Sequence, residues 1–235
     1  MNVLAIDTSN HVLGVSLLKD QKVIGETVTD VPVNHSVRLM PVITQFMEEI
    51  NIKAEDLDLI VVAKGPGSYT GVRVGITTAK TLAWALQIPI VAVSSLEALA
   101  YEGRFFNGMI CPFYDARRQT VFTGLYEWNQ KGIQLIQADQ NVHMTEWLAL
   151  LKQQNKQVLF LSSDIKLYED MIMEYLGDLA IIPEMPYHLP RTSLLGLAGL
   201  NKESEELHTL TPNYLRLAEA EAKWLQAQQQ NQDDK

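Results

Sequence analysis

Cysteine is almost missing from this chain: Cys111 is the only one in 235 residues. That excludes a disulfide framework and makes a reducing compartment, the cytoplasm, the expected home. Cys111 itself sits in the apolar run MICPFY, so a buried spectator is expected there, not a nucleophile. No apolar stretch approaches the roughly 20 residues of a membrane span, so no membrane is expected as a partner. The opening MNVLAIDTSN has neither a basic region nor a cleavage pattern and reads as a strand from residue 2, not a signal peptide. Positive charge is also scarce, with 19 Lys and Arg against 28 Asp and Glu, a net −9. That balance opposes direct grip on a nucleic-acid backbone, and any role near RNA should pass through a partner. Arg104, Arg117 and Arg118 are the clustered arginines, and acidic residues stand beside them. No Gly-Lys-Ser/Thr, GxGxxG or HExxH pattern occurs. Ser68, Tyr69 and Thr70 have no histidine near them in sequence, and His143, His188 and His208 lie scattered, so no nucleophile–base constellation is legible.

What the chain does have is apolar content, 47%, enough for a large core in one large or two modest domains. Its most informative stretch is KGPGSYTGVRVG, residues 64–75. It follows a short β-branched run at 57–63 and precedes a helix-forming run at 76–86, so it joins a strand to a helix. Gly65, Gly67 and Gly71 permit close backbone approach, and Pro66 fixes the turn between them. One reading is an anion or nucleotide site at a helix N-terminus. The other is a tight turn where helix and sheet pack closely, and spacing alone favours it.

The order of elements repeats. Strands are expected at 3–6, 12–19 and 22–29, then a helix at 35–50 with Asn34 as N-cap. A strand at 57–63, a helix after Gly71, a strand at 88–93 and a helix at 96–102 follow. The second half shows strands at 109–114, 120–128 and 133–142, and a helix at 145–154 opened by Thr145 or the residue before it. A strand at 158–161, a helix at 166–176, a strand at 179–182 and a helix at 192–202 complete it. Both halves read βββαβαβα, which implies mixed sheets flanked by helices in two like α/β domains with a cleft between them. The expected domains are 1–103 and 104–206. Residues 207–235 should form a last helix from 213 to 229 that packs back on the first domain, with a polar, disordered tail.

This duplicated ribonuclease-H-like order resembles the actin-like ATPase superfamily. The blocks LAIDTSN, HSVRLMP, KGPGSYTGVRVG, AKTLA, SSLEALA, DARRQTVF and PNYLRLAEAEAK, in that order over almost the whole chain, resemble the TsaB (YeaZ) family. The resemblance implies a noncatalytic paralogue of TsaD, the subunit that transfers a threonylcarbamoyl group to a tRNA adenosine. The implied partners are a TsaD-type catalytic paralogue and a TsaE-type ATPase. A homodimer is possible in isolation, and tRNA is met only through the complex.

The residues test those implications. The family's catalytic paralogue holds metal with His-x-x-x-His on the first helix. Here His35 is followed four residues on by Leu39, so no metal is expected. ATPases of the superfamily place glycine in the first hairpin, where this chain reads Asp7-Thr8-Ser9-Asn10, and the second hairpin reads Asp115-Ala116-Arg117-Arg118. Asp7, Gly65, Gly67, Asp115 and Arg118 are thus vestigial nucleotide contacts, or Asp7 and Asp115 are hairpin caps bonding turn amides. No cofactor is expected. On the helix 35–50, Leu39, Ile43, Phe46 and Ile50 form the sheet-facing stripe, and Val37, Met40, Thr44 and Met47 a second face. That second face is either a deeper burial surface or a partner surface. Arg73, Ile76, Lys80 and Ala83 flank the next helix. The resemblance implies that these two helices pair with their counterparts in the catalytic paralogue. A small actin-like ATPase or phosphotransferase is the alternative, and a metal peptidase is disfavoured.

Overall fold

The structure, a computed structural model, describes residues 1–31 and 34–216. In the first half the strands are β1 (Asn2–Asp7), β2 (Val12–Lys19), β3 (Lys22–Asp30), β4 (Leu59–Ala63) and β5 (Ile90–Val93). The helices are α1 (His35–Glu49), α2 (Tyr69–Leu86) and α3 (Ser95–Ala100). The second half supplies β6 (Met109–Asp115), β7 (Thr120–Asn129), β8 (Gly132–His143), β9 (Val158–Leu161) and β10 (Ala180–Ile181). Its helices are α4 (Met144–Gln153), α5 (Glu169–Leu176) and α6 (Thr192–Gly199).

Among the described residues the strands form two five-stranded sheets, ordered β3-β2-β1-β4-β5 and, read in the same sense, β8-β7-β6-β9-β10. The repeat expected from the sequence is therefore a repeat of topology. In each sheet the first three strands are an antiparallel meander and the last two are added in parallel. Alternation along the central strands separates the faces. Leu4 and Ile6 of β1 meet Leu39, Ile43 and Phe46 of α1 and Val72 and Ala79 of α2. Val3 and Ala5 point the other way, to Leu195 and Ala198 of α6. Cys111 and Phe113 of β6 meet Trp147 and Leu151 of α4 and Ile172 of α5, while Ile110 and Tyr114 meet Leu96 and Leu99 of α3.

The layers run α1/α2, first sheet, α3/α6, second sheet, α4/α5. α6 follows the second sheet in sequence yet packs beneath the first, and α3 does the reverse. This interlocking explains why TSLLGLAG is buried almost all round. It also explains Gly199, where a Cβ would stand 2.5 Å from Val61 Cγ1.

Several boundaries differ from expectation. α2 begins at Tyr69, not after Gly71, because Ser68 caps it by accepting from the Gly71 amide at 3.3 Å. The helix expected over 166–176 is divided into a 3₁₀ turn, Ile165–Leu167, and α5. α4 starts at Met144, with His143 in the cap position. α6 stops at Gly199. Residues 213–216 are extended or bent, not helical, and the remainder of the expected last helix lies outside the described residues. Asn34 does cap α1, accepting from Ser36 N at 3.0 Å.

Candidate functional site

The two equivalent hairpin turns, 8–11 after β1 and 116–119 after β6, face a cleft of about 800 Å³ between the sheets. Asp7, buried, accepts the Ser9 amide at 2.8 Å, and burial pushes its carboxyl above the usual range. Asp115 accepts the Arg117 amide at 3.1 Å and the Tyr168 hydroxyl at 2.7 Å. Both aspartates therefore cap their own hairpins, in the same way in both halves. Asp164, also at the cleft, accepts the Asp115 amide at 2.9 Å, and burial raises its carboxyl too.

The glycine-rich stretch has a similar local explanation. A Cβ on Gly67 would stand 2.0 Å from Ser9 O, one on Gly71 2.1 Å from Thr8 O, and one on Gly75 2.6 Å from Thr8 Oγ1. These glycines let the start of α2 lie directly on the first hairpin. The contact is fixed by Ser68 N donating to Ser9 O at 2.7 Å and Thr8 Oγ1 donating to Gly71 O at 2.7 Å. The space that glycines would leave for a phosphate is filled by the chain's own turn, which is the packing alternative. Gly65 sits beneath the cleft, exchanging hydrogen bonds with Ser95, and Gly67, Asp115 and Arg118 border it.

On the second side, Arg117, Arg118 and Gln119 all have positive φ, 65°, 55° and 59°. Each left-handed non-glycine residue costs about 1–2 kcal/mol. The turn is held by Ala116 N to Thr120 O at 2.9 Å and Thr120 N to Arg117 O at 3.1 Å, and it carries both arginines to the cleft. His35 is bonded to Asn10 O through Nε2 at 2.8 Å, and Leu39 is in the core. Among the described residues no group of three His, Cys, Asp or Glu is placed to hold a metal, and no helix is long and apolar enough to cross a membrane.

The outer helices divide the sequence-predicted surface residues. Val37 and Met40 are 65% and 43% exposed, and Thr44 and Arg73 are exposed as well. Met47, Ile76 and Ala83 instead belong to the core, and Lys80 is half-buried. Met47 is covered because the chain after α1 folds back over it, with Ile52 N donating to Met47 O at 3.0 Å. Ile76 and Ala83 continue the sheet-facing seam Val72–Ile76–Ala79–Ala83, a rotation fixed by the glycine contacts with Thr8.

Residues 205–216 return to the first half of the chain as a strap, where the sequence led to the expectation of a helix from 213. Glu205 bonds β5 through Ile90 O at 2.9 Å and pairs with Lys64 at 3.0 Å. Leu210 enters the core, and Lys80 Nζ donates to its carbonyl at 3.1 Å. Asn213 N donates to Lys64 O at 2.7 Å, and Arg216 Nη1 reaches across the cleft to Ala116 O at 2.7 Å. Between them Tyr214 stacks on Tyr69, centroids 5.2 Å apart, and accepts from Arg73 Nε at 2.5 Å. The same guanidinium lies 4.0 Å from the Tyr69 ring centroid. Trp84, 63% exposed near the end of α2, was also overlooked. The only sequence signals were the apolar spacing of Leu207 and Leu210 and an unpaired aromatic on each element.

Comparison with known proteins gives a consistent picture. A family model described as TsaD, tRNA N6-adenosine threonylcarbamoyltransferase, matches residues 29–224. The tRNA threonylcarbamoyladenosine biosynthesis protein TsaB of Bacillus subtilis (strain 168) is 51% identical over 228 residues, covering 97% of this chain and 100% of its own. YeaZ from Pseudomonas aeruginosa superposes with a TM-score of 0.74 at 26% identity, over 91% of this chain and 99% of that one. The (R)-2-hydroxyglutaryl-CoA dehydratase component A of Acidaminococcus fermentans reaches a TM-score of 0.50 at 11% identity, over 86% and 100%. That last likeness is one of fold alone, the duplicated actin-like ATPase fold.

Proposed function

The chain belongs to the TsaB family of tRNA threonylcarbamoyladenosine biosynthesis proteins, and on that premise we propose that it is a noncatalytic subunit that pairs with a TsaD-type threonylcarbamoyltransferase. The observation that carries this reading is the outer face of α1 and α2. There Val37, Met40 and Trp84 stand exposed on helices whose other sides are locked into the core by Leu39, Ile43, Val72 and Ala79. A rigid face with exposed apolar residues is what a stable partner covers, burying about 1,600 Å² in total for an interface of standard size. Pairing would shift the catalytic subunit toward its active state, since a partner biases an equilibrium by binding one state better.

The cleft supports a noncatalytic role from the other side. Its hairpin aspartates are engaged with their own turns, Gly67 and Gly71 lie against the Ser9 and Thr8 carbonyls, and Gly75 lies against the Thr8 hydroxyl. Asp7, Gly65, Gly67, Asp115 and Arg118 are then the remnant of a nucleotide site, without turnover of their own. A TsaE-type ATPase joins the pair, tRNA is met through the complex in the cytoplasm, and the same helical face gives a homodimer when the partner is absent.

The test is Met40→Glu in the full chain. A charge placed in a covered apolar face is left desolvated and unpaired, so association with the catalytic subunit should be lost. Met40 is exposed in the isolated chain, so its melting temperature should be unchanged. Retained pairing at wild-type affinity would overturn this placement of the interface.

A further inference from the structure

The strap adds something that two helices alone would not. Arg73 and Lys80 of α2 turn toward it, so the outer surface of the first sheet is built from α1, α2 and the strap side by side. Along α2, Tyr69, Arg73, Thr77 and Trp84 fall within one stripe about 80° wide at 100° per residue. Each is exposed. From Tyr69 to Trp84 this stripe runs about 22 Å at 1.5 Å per residue.

We infer that the pairing face continues from α1 across this stripe onto the strap, and that the Tyr69–Arg73–Tyr214 stack is its main anchor for the like-folded catalytic subunit. This inference rests on the proposed pairing. Three features of the stack carry it. Its composition is that of interface anchors, in which Tyr, Trp and Arg are enriched. It is already ordered, because the Tyr214 hydroxyl and both rings fix the Arg73 guanidinium in the free chain. Three side chains held in one geometry before binding avoid most of the ordering cost that association otherwise meets. Finally, both tyrosines keep about two-fifths of their surface open, at the edge of the cleft that they help to line.

The isolated strap contacts could instead be purely structural, fastening residues 205–216 to the body. Arg216 separates the two roles, because it ties the strap to the second sheet through Ala116 O and takes no part in the stack.

The experiment measures the dissociation constant of the full chain with the catalytic paralogue of the same organism by calorimetry. The chains compared are wild type, Tyr214→Ala, Tyr214→Phe, Arg73→Gln, Arg216→Ala and Met40→Glu. Tyr214→Ala and Arg73→Gln should each weaken pairing roughly tenfold or more, the scale of one interface anchor. Tyr214→Phe keeps the ring but loses the hydroxyl that orders Arg73, so it should weaken pairing less than Tyr214→Ala, whereas Arg216→Ala should stay within about threefold of wild type. Wild-type affinity in both Tyr214→Ala and Arg73→Gln, with Met40→Glu still disruptive, would overturn the anchor while leaving the proposed pairing intact. Equal weakening by Arg216→Ala would overturn it in favour of a fastening role. Weakened self-association with unchanged pairing would make a second copy the occupant and overturn the inference. A wild-type chain that does not pair removes the proposed function, and this inference with it.

Discussion

If the glycines of α2 serve packing against the first hairpin, then Gly75 and Thr8 must be energetically coupled. An alanine Cβ at 75 would meet Thr8 Oγ1 at 2.6 Å, well inside ordinary contact, and that hydroxyl is pinned by its bond to Gly71 O. Overpacking of this kind costs about 1–3 kcal/mol. Against it, alanine is the better helix former by about 1 kcal/mol. The single variant Gly75→Ala should therefore lose about 1 kcal/mol of stability. In a Thr8→Ala background the obstructing hydroxyl is gone, and the nearest remaining atom is Val62 Cγ2 at 3.7 Å, an ordinary contact. There the same substitution should gain about 1 kcal/mol, even though Thr8→Ala alone loses a hydrogen bond worth about as much. The coupling of about 2 kcal/mol lies within the range of residues in direct contact. Urea unfolding of the four proteins, followed by circular dichroism, reads it directly. An equal effect of Gly75→Ala in both backgrounds would refute the packing account and return the glycines to an anion-binding role.

Gly71→Ala should be more damaging and beyond rescue by Thr8→Ala, because its Cβ meets the backbone oxygen of Thr8 at 2.1 Å. The same unfolding assay should show a loss of about 2 kcal/mol or more in either background. Cys111 is fully buried, and burial pushes its thiol up to about 11. It should resist a thiol reagent at pH 8 in the native chain and react fully in denaturant, and rapid native labelling would contradict its burial. Glu102 is partly buried between Arg191 and Arg104, and burial, assisted by Glu26, raises its carboxyl to about 7. Unfolded, it ionises near 4.5, so the folded state binds more protons between those values. Stability from this group is full below pH 4.5 and lost as the pH rises through 7, by as much as about 3 kcal/mol. Glu102→Gln should flatten that slope and stabilise the chain at pH 8 relative to wild type, and an unchanged slope would contradict this.

The fold was largely legible because its signals are local. β2 and β9 were delimited to the residue by apolar runs bounded by turn residues, and the repeated meander exposed the duplication. What escaped depends on contacts distant in sequence. Nothing in TSLLGLAG says that it will lie beneath the first sheet, and nothing in KGPGSYTG says that the glycines will meet Thr8 and Ser9. A helical wheel gives the stripe but not its rotation about the axis. Ile76 and Ala83 were therefore placed on a surface when they lie in the seam. Met47 is covered by a turn that the wheel of α1 cannot contain. The strap has no period of its own, so Tyr214 and Arg216 acquire meaning only from Arg73 and Ala116, 141 and 100 residues away along the chain. The αL turn at Arg117–Gln119 was equally silent, since none of its residues is a glycine.

The central claim is that this chain acts by pairing, not by chemistry of its own. Its most direct test mixes the purified chain with the threonylcarbamoyltransferase subunit of the same organism and measures mass by light scattering on a sizing column, with and without nucleotide. The account predicts a stable one-to-one complex that Met40→Glu abolishes, and no Mg·ATP turnover by the chain alone. Separate elution under both conditions, or ATP turnover by the isolated chain that is lost in Asp7→Ala, would contradict it.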